Sequence, residues 1–367
     1  MGHNGPVTWG RADGLAHSVS VVVPTRGREA RLRRAVEAVV DDAAVAEVVV
    51  VVDGEATAGL TPSFLRELQA DDRVRTVSGP GRGVSEARAL GVAAASGDVV
   101  LFLDDDVVAE PGLPSGHLAH HTRRAGLVVV GSMPVADELL ARSATARAYE
   151  SDYERVCRSY EASNDAVLLD LWGGNVSMRR DECRRIGVAS TAFPFGQHED
   201  RDFGLRCRAA GLMGVFDPAL VATHHYMRAP RDFLRLASDQ VVATQALHAL
   251  HRDVLGPWAP DQYRRGVSRR LRWVVGPSAP ANDSAAGGGA ALAALRILRR
   301  AAHVAHARRV EDRALTLSRA VVQHTTAQRL VSDDADSTDP GDGGDGRGQL
   351  NASDAIPATI ITNPSTT

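Results

Sequence analysis

The sequence predicts an α/β fold in which parallel strands alternate with helical crossovers, and three observations carry that reading. Short apolar runs at residues 19–23, 48–52, 74–77 and 99–103 are separated by stretches whose apolar side chains recur at helical spacing. Acidic residues follow two of those runs, Asp53 the second and Asp104, Asp105 and Asp106 the fourth, at the strand ends where open α/β sheets bind ligands. With 367 residues, 44% of them hydrophobic, the chain can bury one large or two moderate cores.

The elements follow in order. Residues 19–23 form the first strand, which ends at Pro24-Thr25-Arg26-Gly27 before a helix marked by Leu32, Val36 and Val39. The second strand, 48–52, ends at Asp53-Gly54, and a helix carrying Phe64, Leu65 and Leu68 leads to a short strand at 74–77. Gly79-Pro80-Gly81-Arg82-Gly83 is a loop, 84–95 a helix, and 99–103 a strand apolar on both faces, as an interior strand of a parallel sheet should be. Further on, 127–130 reads as a strand, 136–163 as a polar helical region, Gly173-Gly174-Asn175 as a turn and 181–186 as a helix. Residues 193–197 are a loop before a helix whose buried face holds Phe203, Cys207 and Ala210, and which Gly211 ends. A strand near Val215 and Phe216 precedes the stretch 220–226, where His224 and His225 follow the last core strand. From Pro230 the pattern is helical, broken at Gly256-Pro257 and by an Ala-, Gly-, Ser- and Pro-rich loop at 276–289. These shifts divide the chain into an N-terminal arm (1–17), two halves of the α/β region (18–130 and 131–230), a helical C-terminal region (231–331) and a disordered tail (332–367) too poor in apolar side chains to form a core.

Composition narrows the function. A net charge of -3 provides no basic field for a polyanion, so nucleic acid is not the expected partner. Cys157, Cys183 and Cys207 lie far apart without C-x-x-C spacing, which supports neither a disulfide framework nor a zinc knuckle and fits a reducing cytoplasm. The first residues lack a basic stretch followed by an apolar core, Pro6 stands where a myristoylation signal wants Ser or Thr, and no apolar run is long enough to span a bilayer. The segment 292–330 carries Arg296, Arg299, Arg300, Arg308, Arg309 and Arg313 beside apolar residues at helical spacing. Peripheral contact with an anionic membrane is one reading of it, and packing on its own domain is the favoured one.

The abrupt charge at Asp104, Asp105 and Asp106 points to a divalent cation. Hard oxygen ligands suit Mg²⁺ or Mn²⁺, commonly held by one or two carboxylates together with substrate phosphates. The competing reading is a solvated loop with a helix cap. Downstream, Glu199 and Asp200 open a helix, where a dipole cap and a catalytic acid pair are both open, while Asp202 and Arg206 lie four apart as a structural ion pair.

The order of these signals resembles the family 2 glycosyltransferases of the GT-A fold. The resemblance covers roughly residues 18–228 and rests on Val21-Val-Val-Pro24-Thr-Arg26, on Val-Val-Val-Asp53-Gly54, and on Gly83-Val-Ser-Glu-Ala-Arg88-Ala-Leu-Gly91 leading to Asp104-Asp-Asp106. It also rests on Gly173-Gly174-Asn175 and on Glu199-Asp200-Arg-Asp-Phe-Gly-Leu-Arg206. It implies a Rossmann-like nucleotide-binding half (18–130) with a mixed central sheet, an acceptor half (131–230), and inverting transfer from a nucleotide diphosphate sugar, UDP- or GDP-linked. The acceptor it implies is an unidentified small molecule, glycan or peptide. Pro24, Thr25 and Arg26 would wall the nucleotide pocket, Asp53 would accept a hydrogen bond from the base, and Arg82 would stack on the base or pair with phosphate. Asp104, Asp105 and Gly174 would complete the donor site, with Asp106, Asp104 and His224 around Mn²⁺ or Mg²⁺. Asp200 would be the general base and Glu199 would orient the acceptor. Two departures stand out: Val52 where the family often has Asp, and Ala89 where it commonly has Asn. The competing functions are a catalytically silent nucleotide-sugar-binding scaffold and a nicotinamide oxidoreductase; the latter lacks its G-x-G-x-x-G turn after the first strand.

Overall fold

Valine-rich runs leave little choice but a buried sheet. In the computed structural model, which describes residues 16–54, 59–190, 192–193, 197–264, 293–301 and 308–336, strands β1 (Val19–Thr25), β2 (Val45–Asp53), β3 (Val74–Gly79) and β4 (Val99–Leu103) pair in parallel. Every residue of β1 and β4 is buried, so both faces are covered and the β-branched side chains pack on each. Helices α1 (Glu29–Glu37), α2 (Pro62–Leu68) and α3 (Val84–Ala94) make the crossovers. Pro62 pre-sets the first turn of α2, and Thr61 Oγ1 accepts from the Phe64 N–H to cap it. A Cβ on Gly91 would lie 2.2 Å from Val22 Cγ1, so glycine there lets α3 press onto β1.

Past β4 the order is β5 (Val107–Ala109), α4 (Leu113–Arg123), β6 (Leu127–Ser132), α5 (Asp137–Arg142), α6 (Ala144–Ala162), α7 (Asn164–Leu169) and β7 (Asn175–Arg179). Then come α8 (Arg180–Ile186), α9 (Glu199–Ala209), β8 (Met213–His224), α10 (Pro230–Leu250), α11 (Arg252–Leu255), a 3₁₀ turn (Pro260–Arg264) and α12 (Arg308–Asp336). The eight strands lie in the order β3-β2-β1-β4-β7-β6-β8-β5.

The sheet is mixed, as the family resemblance implies, because β7 enters beside the end of β4 and runs antiparallel to both β4 and β6, with Asn175 opposite Leu103. Other expectations change. Strands β5 and β7 and helix α4 have no counterpart in the sequence reading. The polar region 136–163 is two helices divided at Ser143, whose Oγ caps the Ala146 N–H. His224 is the last residue of β8 rather than a residue after it, since a register shift opposite Gly131 and Ser132 lets one strand run on to pair with Val107. Backbone helix in α12 continues to Asp336, five residues into the expected tail: propagating a helix needs no apolar core. Residues 1–15 of the expected arm, the loop at 276–289 and tail residues 337–367 lie outside the described residues.

Helix α12 packs on its own domain. Arg147 of α6 donates to Asp312 at 2.9 Å, Arg319 pairs with Asp152 of α6, and Ser238 of α10 bonds Thr326 at 2.9 Å. No helix among the described residues is long and apolar enough to cross a membrane.

A buried polar chain explains how α4 and β7 hide beneath polar sequences. Asn175 Oδ1 can only accept, so His117 donates to it through Nε2 (2.9 Å) and accepts from Ser177 Oγ through Nδ1 (2.8 Å). The Ser177 oxygen in turn accepts from His121 Nε2 at 2.8 Å, and Asn175 Nδ2 donates to the Leu220 carbonyl at 3.0 Å. Burial lowers His117 to about 4 and His121 to about 3, so both are neutral when folded. Unfolded, they titrate near 6.5; the unfolded chain therefore takes up protons first, and stability falls as pH drops from about 6.5 towards those lower values. The expected loss is roughly 2 kcal/mol per histidine at pH 5. Thermal unfolding between pH 7 and 5 checks this, and a flat Tm would contradict a neutral buried pair.

Candidate active site

The strand ends, the glycine pair and the start of α9 converge on one crevice. At its donor end Asp53, the last residue of β2, is buried; its Oδ2 accepts from Arg26 at 3.2 Å and from the Gly83 N–H at 3.0 Å. Its Oδ1 is buried without a hydrogen-bond partner, an acceptor left for a ligand N–H. Thr25 Oγ1 donates to Asp105 at 2.6 Å, so the middle acid of the triplet braces the β1 turn, and burial raises its pKa. Arg82 is exposed at the rim.

Asp106 sits with His224. Its Oδ1 lies 3.4 Å from His224 Nε2 and its Oδ2 lies 3.2 Å from Arg31 and 3.7 Å from Arg28. Burial alone would raise its pKa, but His224, Arg31 and Arg28 outweigh that and hold it below the usual carboxylate value. One carboxylate oxygen and one imidazole nitrogen thus face each other. That donor set fits an ion completed by diphosphate and water oxygens, and the imidazole favours Mn²⁺ over Mg²⁺. Among the described residues no group of three His, Cys, Asp or Glu side chains encloses a cation. Asp104 is drawn elsewhere, to Arg88.

Arg88 is the residue the sequence reading left without a role. Its side chain is 7% exposed, and its two terminal nitrogens reach Asp104 Oδ1 at 2.8 Å and Asp200 Oδ1 at 2.5 Å. Burial works against its charge, but Asp200, Asp104 and Glu199 outweigh that and raise its pKa. A signal was present: α3 buries Ala87, Arg88, Gly91 and Val92, so helical spacing places an arginine on the apolar stripe. The glycine pair makes room for this bridge. A Cβ on Gly173 would lie 2.6 Å from Asp200 Oδ1, and one on Gly174 would lie 2.8 Å from Asp104 Oδ2. The Gly173 N–H donates to Asp200 Oδ2 at 2.9 Å.

Helix α9 starts with a strained residue. His198 has φ 66°, the left-handed region that side chains rarely adopt, and its Nε2 bonds Thr244 Oγ1 of α10 at 2.9 Å. This turn delivers Glu199 and Asp200 to the crevice. Glu199 is pushed up to about 8, first by burial and then by the charge of Asp200, which favours its neutral form. Asp202 pairs with Arg206 at 2.9 Å, the expected structural ion pair, and also with His251 at 2.8 Å. Trp172 packs against Tyr149 and Tyr153 and also lines a cavity of about 420 Å³ that opens onto Glu199 and Asp200. Helices α6, α10 and α12 wall that cavity on the other side.

Residues 20–187, a little under half of the chain, match the model of glycosyl transferase family 2. No curated protein matches the chain in sequence. Among solved structures it is similar to the mannosyltransferase PcManGT from Pyrobaculum calidifontis in complex with GDP-Man and Mn²⁺, at 15% identity and a TM-score of 0.50 over 88% of this chain and 89% of that one. It is similar to GalNAc-T7 with UDP, GalNAc and Mn²⁺, at 14% identity and a TM-score of 0.46 over 64% of this chain and 52% of that one. A mycobacterial protein aligns at 18% identity and a TM-score of 0.43, over 64% and 74% of the two chains. The fold is GT-A, with the mixed central sheet described above.

Proposed function

We propose that the chain moves a sugar from a UDP- or GDP-linked donor to an acceptor hydroxyl, with inversion at the anomeric carbon and with Mn²⁺ or Mg²⁺. The observation that carries this reading is the Arg88 bridge, which ties Asp104 at the donor end to Asp200 at the mouth of the cavity. The donor class and metal are also supported by PcManGT, whose structure holds GDP-Man and Mn²⁺. In this reading Asp53 Oδ1 accepts from the base, Pro24 to Arg26 and Arg82 wall the nucleotide, and Asp104 takes the ribose. Asp106 and His224 would hold the cation, which supplies positive charge to the departing diphosphate. Arg28 and Arg31 add charge at the same end.

The acceptor hydroxyl enters from the cavity and meets Asp200. Its oxygen attacks the anomeric carbon as the bond to the diphosphate breaks in line, and its proton passes to Asp200. Arg88 and the Gly173 N–H keep Asp200 aimed, and protonated Glu199 donates a hydrogen bond that orients the acceptor.

A thermal-shift panel of UDP- and GDP-sugars with Mn²⁺ tests the donor half of this reading. One nucleotide class should raise Tm only when metal is present; at a hundredfold excess over Kd the gain is about 2.7 kcal/mol. Asp106→Ala and His224→Ala should each weaken the apparent Mn²⁺ affinity. A full donor shift in EDTA would remove the metal, and an unchanged Mn²⁺ affinity in His224→Ala would return that histidine to a packing role against Tyr149 and Tyr226.

A further inference from the structure

The cavity beside Glu199 has a composition that narrows the acceptor, and the argument rests on the transferase reading above. Its volume of about 420 Å³ belongs to the range of small-ligand sites. Three kinds of side chain line it. Trp172, Tyr226 and Phe233 offer apolar ring surface, Trp172 remaining partly exposed. Gln240 and Gln323, from α10 and α12, bring planar amides that both donate and accept, and Tyr263 adds a hydroxyl. A lipid tail would leave these amides unpaired against hydrocarbon, whereas a ring with several hydroxyls satisfies them while its C–H face covers an aromatic plane.

The charges do not cancel. Asp170 is taken by Arg201 at 2.9 Å, Asp152 by Arg319 with Arg155 at 3.4 Å, and Asp200 by Arg88. Burial favours the neutral form of Glu199. Arg228 makes no ion pair among the described residues; its guanidinium lies 5.9 Å over the Tyr226 ring at the exposed edge of the cavity. A cation with a forked donor set and no carboxylate partner is suited to a carboxylate or phosphate.

We propose that the acceptor is a saccharide carrying an anionic group, its ring seated among Trp172, Gln240 and Gln323 and its charge on Arg228. The helices α10 and α12, which lie outside the matched family span of 20–187, therefore set acceptor choice.

Ligand-detected NMR on the full chain with Mn²⁺ and UDP or GDP tests this. Glucose, galactose and mannose would be compared with their uronic acids and with their 6-phosphates, the two acid arms separating carboxylate from phosphate. At least one acid series should bind about tenfold more tightly than its neutral parents. Arg228→Gln should erase that difference and leave the neutral sugars unchanged; nucleotide binding serves as the check on folding. Equal binding of neutral and acidic sugars would overturn the proposal, as would an acid preference that survives Arg228→Gln. Nucleotide binding with no sugar of any series bound at 10-mM concentrations, roughly the weak end of specific recognition, would also overturn it while leaving the transferase reading intact. Absence of nucleotide binding would instead remove the transferase reading itself.

Discussion

On the proposed mechanism, Asp200→Asn should lower kcat by about 10²- to 10⁴-fold and leave donor affinity within about twofold, the pattern expected when a general base is lost. Asparagine preserves the shape and still accepts from the Gly173 N–H, so the α9 start stays in place. What disappears is the proposed proton acceptor and one half of the Arg88 bridge. A second readout follows from the neighbouring acid. The charge of Asp200 is one reason Glu199 stands at about 8, so the substitution should lower the Glu199 pKa, because a nearby anion no longer disfavours its ionisation. Steady-state kinetics with calorimetric donor titration decides between roles. Equal loss of affinity and rate would place Asp200 in the donor site, and unchanged kcat would exclude it as the base.

What the sequence made legible follows from where each side chain finds its partner. Strand β4 is wholly apolar and buried, and β1 and β2 carry the buried valine runs 21–23 and 48–52, so the burial of these stretches is written in the runs themselves. Strand β7 is equally buried, yet Asn175 and Ser177 occupy two of its five positions. Their partners, His117 and His121, lie on α4 some sixty residues earlier, and neither segment looks like core until they meet. The acid motifs were legible because strand ends collect ligands, but their division of labour was not. The sequence presents Asp104, Asp105 and Asp106 as equals, while folding sends the first to Arg88, the second under Thr25 and the third to His224. His224 itself was easy to suspect and hard to place, since its position depends on a register shift in β8. Nothing in the sequence announces the left-handed backbone of His198, which depends on tertiary packing against α10.

Arg88→Met is the substitution that should cost stability and chemistry together. Methionine fills a similar volume and suits the buried stripe of α3, so any loss comes from charge rather than from a cavity. Without the guanidinium, Asp104 and Asp200 face one another across a partly buried crevice with no cation between them. Breaking a buried pair by removing one partner costs about 3–5 kcal/mol. Part of that cost is escaped by protonation: burial already raises the Asp104 pKa and Arg88 counters it, so the carboxyl rises further once Arg88 is gone. Asp200 loses the same cation and the hydrogen bond that aims it at the acceptor. The expected result is a lower Tm, a kcat reduced at least as far as in Asp200→Asn, and weaker donor binding through Asp104. Arg88→Lys separates charge from geometry. Its single ammonium lacks the fork that serves two carboxylates at once, so stability should recover more than rate. Thermal unfolding, kcat and donor Kd measured on both variants test the bridge: wild-type kcat and donor Kd in Arg88→Met would reduce it to a contact without function, and equal recovery of stability and rate in Arg88→Lys would show that charge alone suffices.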